Sequence, residues 1–321
     1  MTTPVLPKRA IAPLPPVELD RDRVQAIMNK VRQLELRTRV LVDNALAGGY
    51  HSAFRGRGID FDQVREYVAG DEVRTIDWNV TARAGRPFVK QFREERELTL
   101  MLAVDVSASG DFGSTDQRKR ELTAELACVL ALSAIRNNDL VGLVMFTDRI
   151  ERFVPPRKGR PHALRVVREI LGCRPQGHGT DIALVLDTLP ALLARRSVVA
   201  LISDLEVGIP RATALAAVAK SSRVLAARHD AIAFQVRDPH ERVLPNVGLL
   251  AVEDAETGEV VAIDTARRRV RDRFAEVADQ RAGEVRGVLR RAGLDIVELD
   301  TARPYIPAMH AFFAARARRR R

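Results

Sequence analysis

The chain has 321 residues, 46% of them hydrophobic and 29% charged, which is enough material for a buried core in one large or two modest domains. No segment approaches the roughly 20 uninterrupted apolar residues that a membrane helix needs, and the N-terminal residues lack the apolar core of a signal peptide. The formal net charge is +10, but the basic excess is almost all arginine spread along the chain, which argues against specific nucleic-acid binding.

The first 97 residues predict an arm followed by a small mixed element. Residues 1–17 are rich in proline and predict an extended arm. In the segment 18–97, apolar spacing over 19–47 predicts a helix that a Gly-Gly pair ends. Residues 50–97 place short apolar positions among turn residues, which predicts a β-rich element in which Trp78 is a partly buried anchor.

The charged residues of this element allow two interpretations. Its carboxylates could form a hydrolytic site with His51, or they could pair with the arginines interleaved among them. The ion-pair interpretation is favoured because carboxylates and guanidinium groups alternate along the segment. The acidic residues are Asp60, Asp62, Glu66, Asp71 and Asp77, and the arginines are Arg55, Arg57, Arg65, Arg74 and Arg83.

From residue 98 onwards, short apolar runs alternate with segments of helical periodicity. The run 98–104 has almost no polar interruption, which is typical of a strand buried on both faces of a parallel sheet. Similar runs occupy 140–146, 197–203, 230–236 and 294–299, and helices are predicted over 117–137, 161–171, 182–193, 211–227 and 265–291. This alternation predicts a doubly wound, mainly parallel α/β domain over 98–303. A C-terminal helix and an Arg-rich tail are expected over 304–321.

Hydroxyl and carboxylate side chains follow two of the predicted strands. Asp105, Ser107 and Ser109 come directly after the first strand, Asp204 follows the strand at 197–203, and Thr180 starts a helix in a Gly-rich loop. A reversal of strand order that brings these two strands side by side would place all five side chains in one crevice. Hard divalent cations take oxygen ligands, so the set predicts a site for Mg²⁺, or for Mn²⁺ or Ca²⁺.

Two other interpretations of the first loop stay open. Asp and Ser are favoured N-cap residues, and the D-V-S-A-S segment by itself fits helix capping as well as metal binding. Aspartyl-phosphate enzymes also place an Asp after a buried strand, so Asp105 could serve a metal-dependent phosphatase-like reaction. That chemistry usually has a second carboxylate two residues later, where this chain has Ser107.

Two family resemblances follow from these motifs. The D-x-S-x-S sequence at 105–109, the later Thr180 and Asp204 together resemble the metal-ion-dependent adhesion site of von Willebrand factor A domains. The preceding segment, with G-R-G-I-D-F-D and R-E-Y-V-A-G-D-E-V-R-T-I-D-W-N-V, resembles the bacterial family called domain of unknown function 58. Gly110 stands where that family often has a bulky residue, which we expect to change the stiffness of the loop and not its ligands.

The resemblance implies an interaction module, and we expect an adaptor without catalysis. A protein partner would supply an acidic residue to the metal, and members are thought to act with a MoxR-type AAA+ ATPase in assembling or activating other proteins. Some relatives carry membrane helices. With two cysteines that lack metal-ligand spacing, Cys128 and Cys173, we expect a cytoplasmic protein with free thiols. The alternatives are the phosphatase-like reaction at Asp105 and nucleic-acid binding through the tail at 316–321.

Overall fold

The computed structural model describes residues 60–93, 97–115, 117–177, 179–208, 210–253, 258 and 260–319, together with Asn29, Arg32, Tyr50 and Ala53. The predicted arm at 1–17, most of the predicted helix at 19–47 and His51 lie outside these residues. Those predictions therefore stay predictions.

The element at 60–93 consists of two antiparallel strands, β1 (Asp60–Glu66) and β2 (Phe88–Arg93), with a short helix between them, α1 (Trp78–Ala84). The predicted β-rich element is present, and the helix was not predicted. The Asp77 carboxylate caps α1 by accepting hydrogen bonds from the backbone N–H groups of Asn79 and Val80. The prediction for Trp78 is wrong, because this first residue of the helix is 67% exposed.

The charged side chains that the structure describes in this element form ion pairs and a helix cap. Arg65 binds both carboxylate oxygens of Asp71, with N···O distances of 2.6 and 2.7 Å, and Arg86 pairs with Glu66 at 2.6 Å. These pairs, together with the capping role of Asp77, agree with the ion-pair interpretation of the segment.

The remaining strands form a large sheet and a separate hairpin. Their bounds are β3 (Thr99–Asp105), β4 (Leu140–Phe146), β5 (Ile150–Arg157), β6 (Val198–Ser203), β7 (Asp230–Arg237), β8 (Leu249–Glu253), β9 (Val260–Asp264) and β10 (Asp295–Asp300). The order across the six-stranded sheet is β10-β7-β6-β3-β4-β5, and only β5 runs antiparallel to its neighbour. If these six strands are renumbered 1 to 6 in chain order, the sheet read from β5 to β10 has the order 3-2-1-4-5-6 of a doubly wound fold. The predicted fold class is therefore confirmed.

Helices cover both faces of this sheet. They are α2 (Lys119–Arg136), α3 (Arg160–Gly172), α4 (Ile182–Leu192), α5 (Arg211–Arg228), α6 (Arg268–Arg291) and α7 (Ile306–Arg319). Alternate residues of β3 enter opposite cores: Leu100 and Leu102 pack with α2, α3 and α7, whereas Met101 and Ala103 pack with α4, α5 and α6. A strand buried on both faces has to be apolar at nearly every position, which explains the apolar run at 98–104.

The hairpin β8–β9 is inserted between β7 and α6, so both of its ends emerge at the carboxyl edge of the parallel strands. Its apolar side chains are unusually open to solvent, with Leu249 76% and Val260 63% exposed. Among the described helices, none combines the length and the apolar content required to cross a membrane.

Asp139 holds the opposite, amino edge of the sheet. Its Oδ1 accepts a hydrogen bond of 2.9 Å from the backbone N–H of Leu98, just before β3. Burial raises the pKa of Asp139 to about 6, because the charged carboxylate loses its hydration. The native state therefore binds this proton more tightly than the unfolded chain, in which the pKa is about 3.9.

The pKa of Asp139 predicts a specific dependence of stability on pH. The stabilising contribution of its bound proton is fully present below about pH 4 and is lost as the pH rises through about 6. Asp139→Asn keeps an acceptor for Leu98 and removes the titration. We expect its free energy of unfolding, relative to wild type, to increase by about 2 kcal/mol between pH 4 and pH 7. Urea unfolding across this range measures the difference, and a pH-independent difference would contradict the prediction.

Candidate metal centre

The predicted loops meet where the strand order reverses. β3 pairs with β6 in parallel, with Val104 opposite Ile202, so the loops that follow both strands leave the sheet side by side. Asp105 is the last residue of β3, and Asp204 directly follows β6. In open α/β sheets this switch point is where ligands bind.

Asp105 is held in place from both loops. Its Oδ1 accepts a hydrogen bond from the backbone N–H of Ser107 at 2.9 Å, and its Oδ2 accepts one from the Ser203 hydroxyl at 2.7 Å. These donors are neutral. Burial, and secondarily the negative charge of Asp204, raise the pKa of Asp105 to about 6. The two hydrogen bonds therefore orient the Asp105 carboxylate, but neither donor neutralises its negative charge.

The serine hydroxyls continue the cluster towards Asp204. The Oγ atoms of Ser107 and Ser109 lie 3.1 Å apart, and Ser109 donates a hydrogen bond of 2.7 Å to Asp204 Oδ2. Ser107 precedes a 3-10 turn, Ala108–Asp111, and its side chain makes no capping hydrogen bond there. The Ser107 hydroxyl is thus oriented into the cluster and does not cap this turn.

A lysine that the sequence analysis missed completes the cluster. Lys119, the first residue of α2, is 2% exposed; its ammonium lies 2.8 Å from Asp204 Oδ2 and also pairs with Glu241. Burial alone would lower the pKa of Lys119, but Asp204 and Glu241 raise it above its usual value. Likewise, burial alone would raise the pKa of Asp204, whereas the charge of Lys119 holds it below its usual range.

A signal for Lys119 was present in the sequence. Leu122, Leu126 and Leu130 follow it at the spacing of the buried face of α2, so a lysine begins an apolar stripe. Within a Q-R-K-R-E run it resembled one more surface charge.

The donor set fits a hard divalent cation. A concavity between the two loops is lined by Asp105, Ser107, Ser109 and Asp204, and Lys119 already places one positive charge against it. Within the described part of the chain there is no group of three or more His, Cys, Asp or Glu side chains placed to hold a metal. A metal here would therefore depend on two carboxylates and on hydroxyl oxygens, which suits Mg²⁺ and Ca²⁺ better than softer ions.

Thr180 is not among the residues that line the concavity. Its backbone carbonyl is close to the segment after β6, since a Cβ built on Gly208 would lie 3.9 Å from Thr180 O. The structure therefore brings four of the five predicted ligands together and places the fifth on the adjacent loop.

The loop that carries Thr180 is anchored by a buried carboxylate. Glu151 Oε1 accepts hydrogen bonds from the Thr147 hydroxyl at 2.7 Å, the Gln176 backbone N–H at 3.1 Å and the Gly177 backbone N–H at 2.7 Å. The backbone N–H of Asp181 donates to Thr147 O at 2.9 Å. These bonds hold both sides of the loop against the end of β4.

We expect Gly177→Ala to displace the Thr180 loop. The new Cβ would lie 2.0 Å from Asp148 Oδ1 and 2.1 Å from Thr147 Oγ1. Asp148 is half-exposed and can rotate away, but Thr147 is buried and bonded to Glu151, so the loop has to move. The expected loss of stability is about 1–3 kcal/mol, measured by urea unfolding.

Gly110→Ala is the matched control, because its Cβ would meet nothing within 4 Å. Equal stabilities of the two variants would contradict the close contact.

The strand order, the antiparallel edge strand and the oxygen cluster at the switch point define a doubly wound α/β domain of the von Willebrand factor A-like class. The profile of the family described as "Protein of unknown function DUF58" matches residues 63–284, and the chain belongs to this family. The family predicted from the motifs is therefore confirmed.

Relatives of similar length occur in mycobacteria. The uncharacterized proteins Mb1516 of Mycobacterium bovis and Rv1480 of Mycobacterium tuberculosis are each 34% identical over 292 residues, covering 90% of this chain and 89% of theirs. Among solved structures, the conserved hypothetical protein BatB from Bacteroides thetaiotaomicron is 15% identical, with a TM-score of 0.46 over 69% of this chain and 99% of that chain. The SpRpn10 VWA domain is 10% identical, with a TM-score of 0.37 over 67% and 94%.

Proposed function

We propose that this protein is a metal-dependent adaptor that binds other proteins and catalyses no reaction. The family and the fold suggest a role in protein interaction. Asp105, Ser107, Ser109 and Asp204 would hold a divalent cation, Mg²⁺ or alternatively Mn²⁺ or Ca²⁺, and Thr180 would complete the set from the adjacent loop. The observation that carries the proposal is the convergence of two carboxylates and two hydroxyls, from loops 95 residues apart, at the switch point of the sheet.

Some groups of the centre orient the two carboxylates, and others would supply neutral oxygen ligands. Ser203 and the backbone of Ser107 orient Asp105, while Ser109 orients Asp204. The serine hydroxyls are neutral ligands, so they add oxygen donors without adding negative charge. When bound, the metal would have its charge balanced but not exceeded by the two carboxylates, and an acidic side chain of the partner would occupy an open coordination position. Two carboxylates leave room for a third, which is the basis for proposing an acidic group on the partner.

The surroundings of the centre also suit a protein partner. The hairpin β8–β9 emerges from the same edge of the sheet and exposes apolar side chains, as interaction surfaces often do. Family resemblance further leads us to propose a MoxR-type AAA+ ATPase as the partner, in the assembly or activation of other proteins.

The first test is metal binding by the chain alone. We expect Mg²⁺ at about 100 times its dissociation constant to stabilise the wild-type fold by about 2.7 kcal/mol, and we expect chelator to reverse this. Asp105→Asn should abolish the effect. Asp111→Asn is the matched control, since this half-exposed carboxylate in the neighbouring turn pairs with Arg120 instead. Stabilisation by Mg²⁺ that survives in Asp105→Asn would contradict the proposed ligand set.

The second test is capture of the partner. A purified MoxR-type AAA+ ATPase from the same organism should bind wild type and Asp111→Asn in Mg²⁺, and should not bind Asp105→Asn or chelated wild type. Binding that ignores both chelator and Asp105→Asn would remove the metal from the proposal. In a parallel screen we expect no hydrolysis of phosphate esters. Mg²⁺-dependent hydrolysis that Asp105→Asn abolishes would replace the adaptor with the phosphatase-like alternative.

A further inference from the structure

Lys119 occupies the place of a cation within the candidate centre. Its ammonium lies 2.8 Å from Asp204 Oδ2, the same oxygen that accepts the hydrogen bond from Ser109. It also pairs with Glu241, and the side chain is 2% exposed. A buried lysine is tolerated only when its charge is paired, so these carboxylates are the reason that it can lie here.

The position of Lys119 in the chain allows its ammonium to move while its backbone stays fixed. The backbone is held as the first residue of α2, where its N–H donates to Phe112 O at 3.2 Å. The ammonium lies at the end of four methylene groups and touches two carboxylates from different loops. It can therefore release Asp204 and remain paired with Glu241, without moving the helix.

We propose that Lys119 is the resident cation of this centre and that a divalent metal binds by exchange with it. In this exchange the ammonium leaves Asp204 and stays with Glu241. The inference rests on the proposed function, because it concerns the same site, and it adds a residue that sets how tightly the metal binds. With Lys119 against Asp204 the two central carboxylates carry a net charge of only about −1, so the ammonium and the metal compete for the same oxygen.

Glu241, the carboxylate that stays paired with Lys119 during this exchange, is itself held in place by hydrogen bonds. Its carboxylate accepts a hydrogen bond of 3.0 Å from the backbone N–H of Asp238. Asp238 in turn accepts hydrogen bonds from the Ser114 backbone N–H at 2.9 Å and the Thr301 hydroxyl at 2.8 Å. The Glu241 carboxylate is therefore anchored to the ends of β7 and β10. It remains a fixed partner for the ammonium when the ammonium leaves Asp204.

The test compares metal affinity in variants that remove one positive charge each. Lys119→Met keeps the apolar stem and removes the ammonium from the centre. Lys158→Met is the matched control, because Lys158 pairs with Glu97 before β3, at the opposite edge of the sheet. Titration calorimetry with Mg²⁺ and Mn²⁺ gives the dissociation constants. We expect Lys119→Met to bind metal at least roughly tenfold more tightly than wild type, and Lys158→Met to bind as wild type does.

The outcomes separate this inference from the proposed function. Equal or weaker binding by Lys119→Met, with binding still abolished by Asp105→Asn, overturns the exchange and leaves the metal site standing. Binding by Lys119→Met alone overturns both the exchange and the metal dependence of the natural chain, because the ammonium then excludes the metal. Absence of binding in both proteins overturns both proposals.

Glu241→Gln is a second variant that leaves Lys119 in place. It removes the carboxylate that receives the displaced ammonium, so we expect weaker metal binding than in wild type. In the Lys119→Met background the same change should have little effect, because no ammonium is left to receive. An unchanged affinity in Glu241→Gln overturns the exchange, whether or not Lys119→Met folds.

Discussion

Arg316→Met is expected to lower the free energy of unfolding by about 3–5 kcal/mol, because the partly buried Asp230 and Asp295 lose the buried cation that they share, and Asp295 keeps only the exposed Arg319. Arg316 is 4% exposed and pairs with Asp230 and Asp295, the first residues of the neighbouring strands β7 and β10. Its Nε also donates to Ala53 O at 3.3 Å. The side chain therefore joins α7 to the amino edge of the sheet.

The control for Arg316 lies on the same helix. Arg318 is exposed, so Arg318→Met should change the free energy of unfolding by less than about 0.5 kcal/mol. Urea unfolding with both variants measures the contrast, and equal effects would contradict the structural role of Arg316. A structural role of Arg316 would also argue against nucleic-acid binding through the tail at 316–321, because Arg316 and Arg319 already pair with carboxylates of the chain.

Asp204→Asn is expected to destabilise the metal-free protein by about 3–5 kcal/mol, because the buried Lys119 loses one of its two carboxylate partners. The double variant with Lys119→Met should recover most of this loss, since the buried ammonium is then absent and only the partly exposed Glu241 loses its partner. Thermal and urea unfolding of the two single variants and the double variant complete the cycle. Additive losses in the double variant would show that the ion pair does not determine the effect.

Asp105→Asn should have the opposite effect at neutral pH. Its pKa in the folded protein is about 6, above the unfolded value of about 3.9. Ionisation therefore opposes folding as the pH rises through about 6, and removing the charge should stabilise the metal-free protein at pH 7. A loss of stability for Asp105→Asn in metal-free buffer at pH 7 would contradict this sign. The two carboxylates of one centre thus differ because only Asp204 has a lysine beside it.

The candidate site was largely predictable because its side chains directly follow buried strands. Asp105 and Asp204 end apolar runs, and the carboxyl ends of parallel strands lie at one edge of a sheet. That the strand at 98–104 lies beside the strand at 197–203 was an assumption of the sequence analysis, and the pairing of β3 with β6 confirms it. The position of Thr180 depends on a loop held by Glu151, which no local pattern indicates.

The errors and omissions concern side chains whose surroundings come from distant parts of the chain. Trp78 was expected to be partly buried because tryptophan usually is, yet it begins a short exposed helix. Arg316 looked like part of a solvated basic tail, although its partners lie 86 and 21 residues away. Lys119 was overlooked within a charged run, although its carboxylates are 85 and 122 residues away.

The sequence by itself determined the class of fold, the family and the loops that carry the candidate oxygen ligands, because hydrophobic periodicity and short motifs are local properties of the chain. Only the tertiary structure decided which charges meet: Lys119 with Asp204 and Glu241, and Arg316 with Asp230 and Asp295. The physical reason is that burial removes a charge from water and makes it depend on whichever opposite charge folding brings within a few ångströms, whatever their separation in sequence.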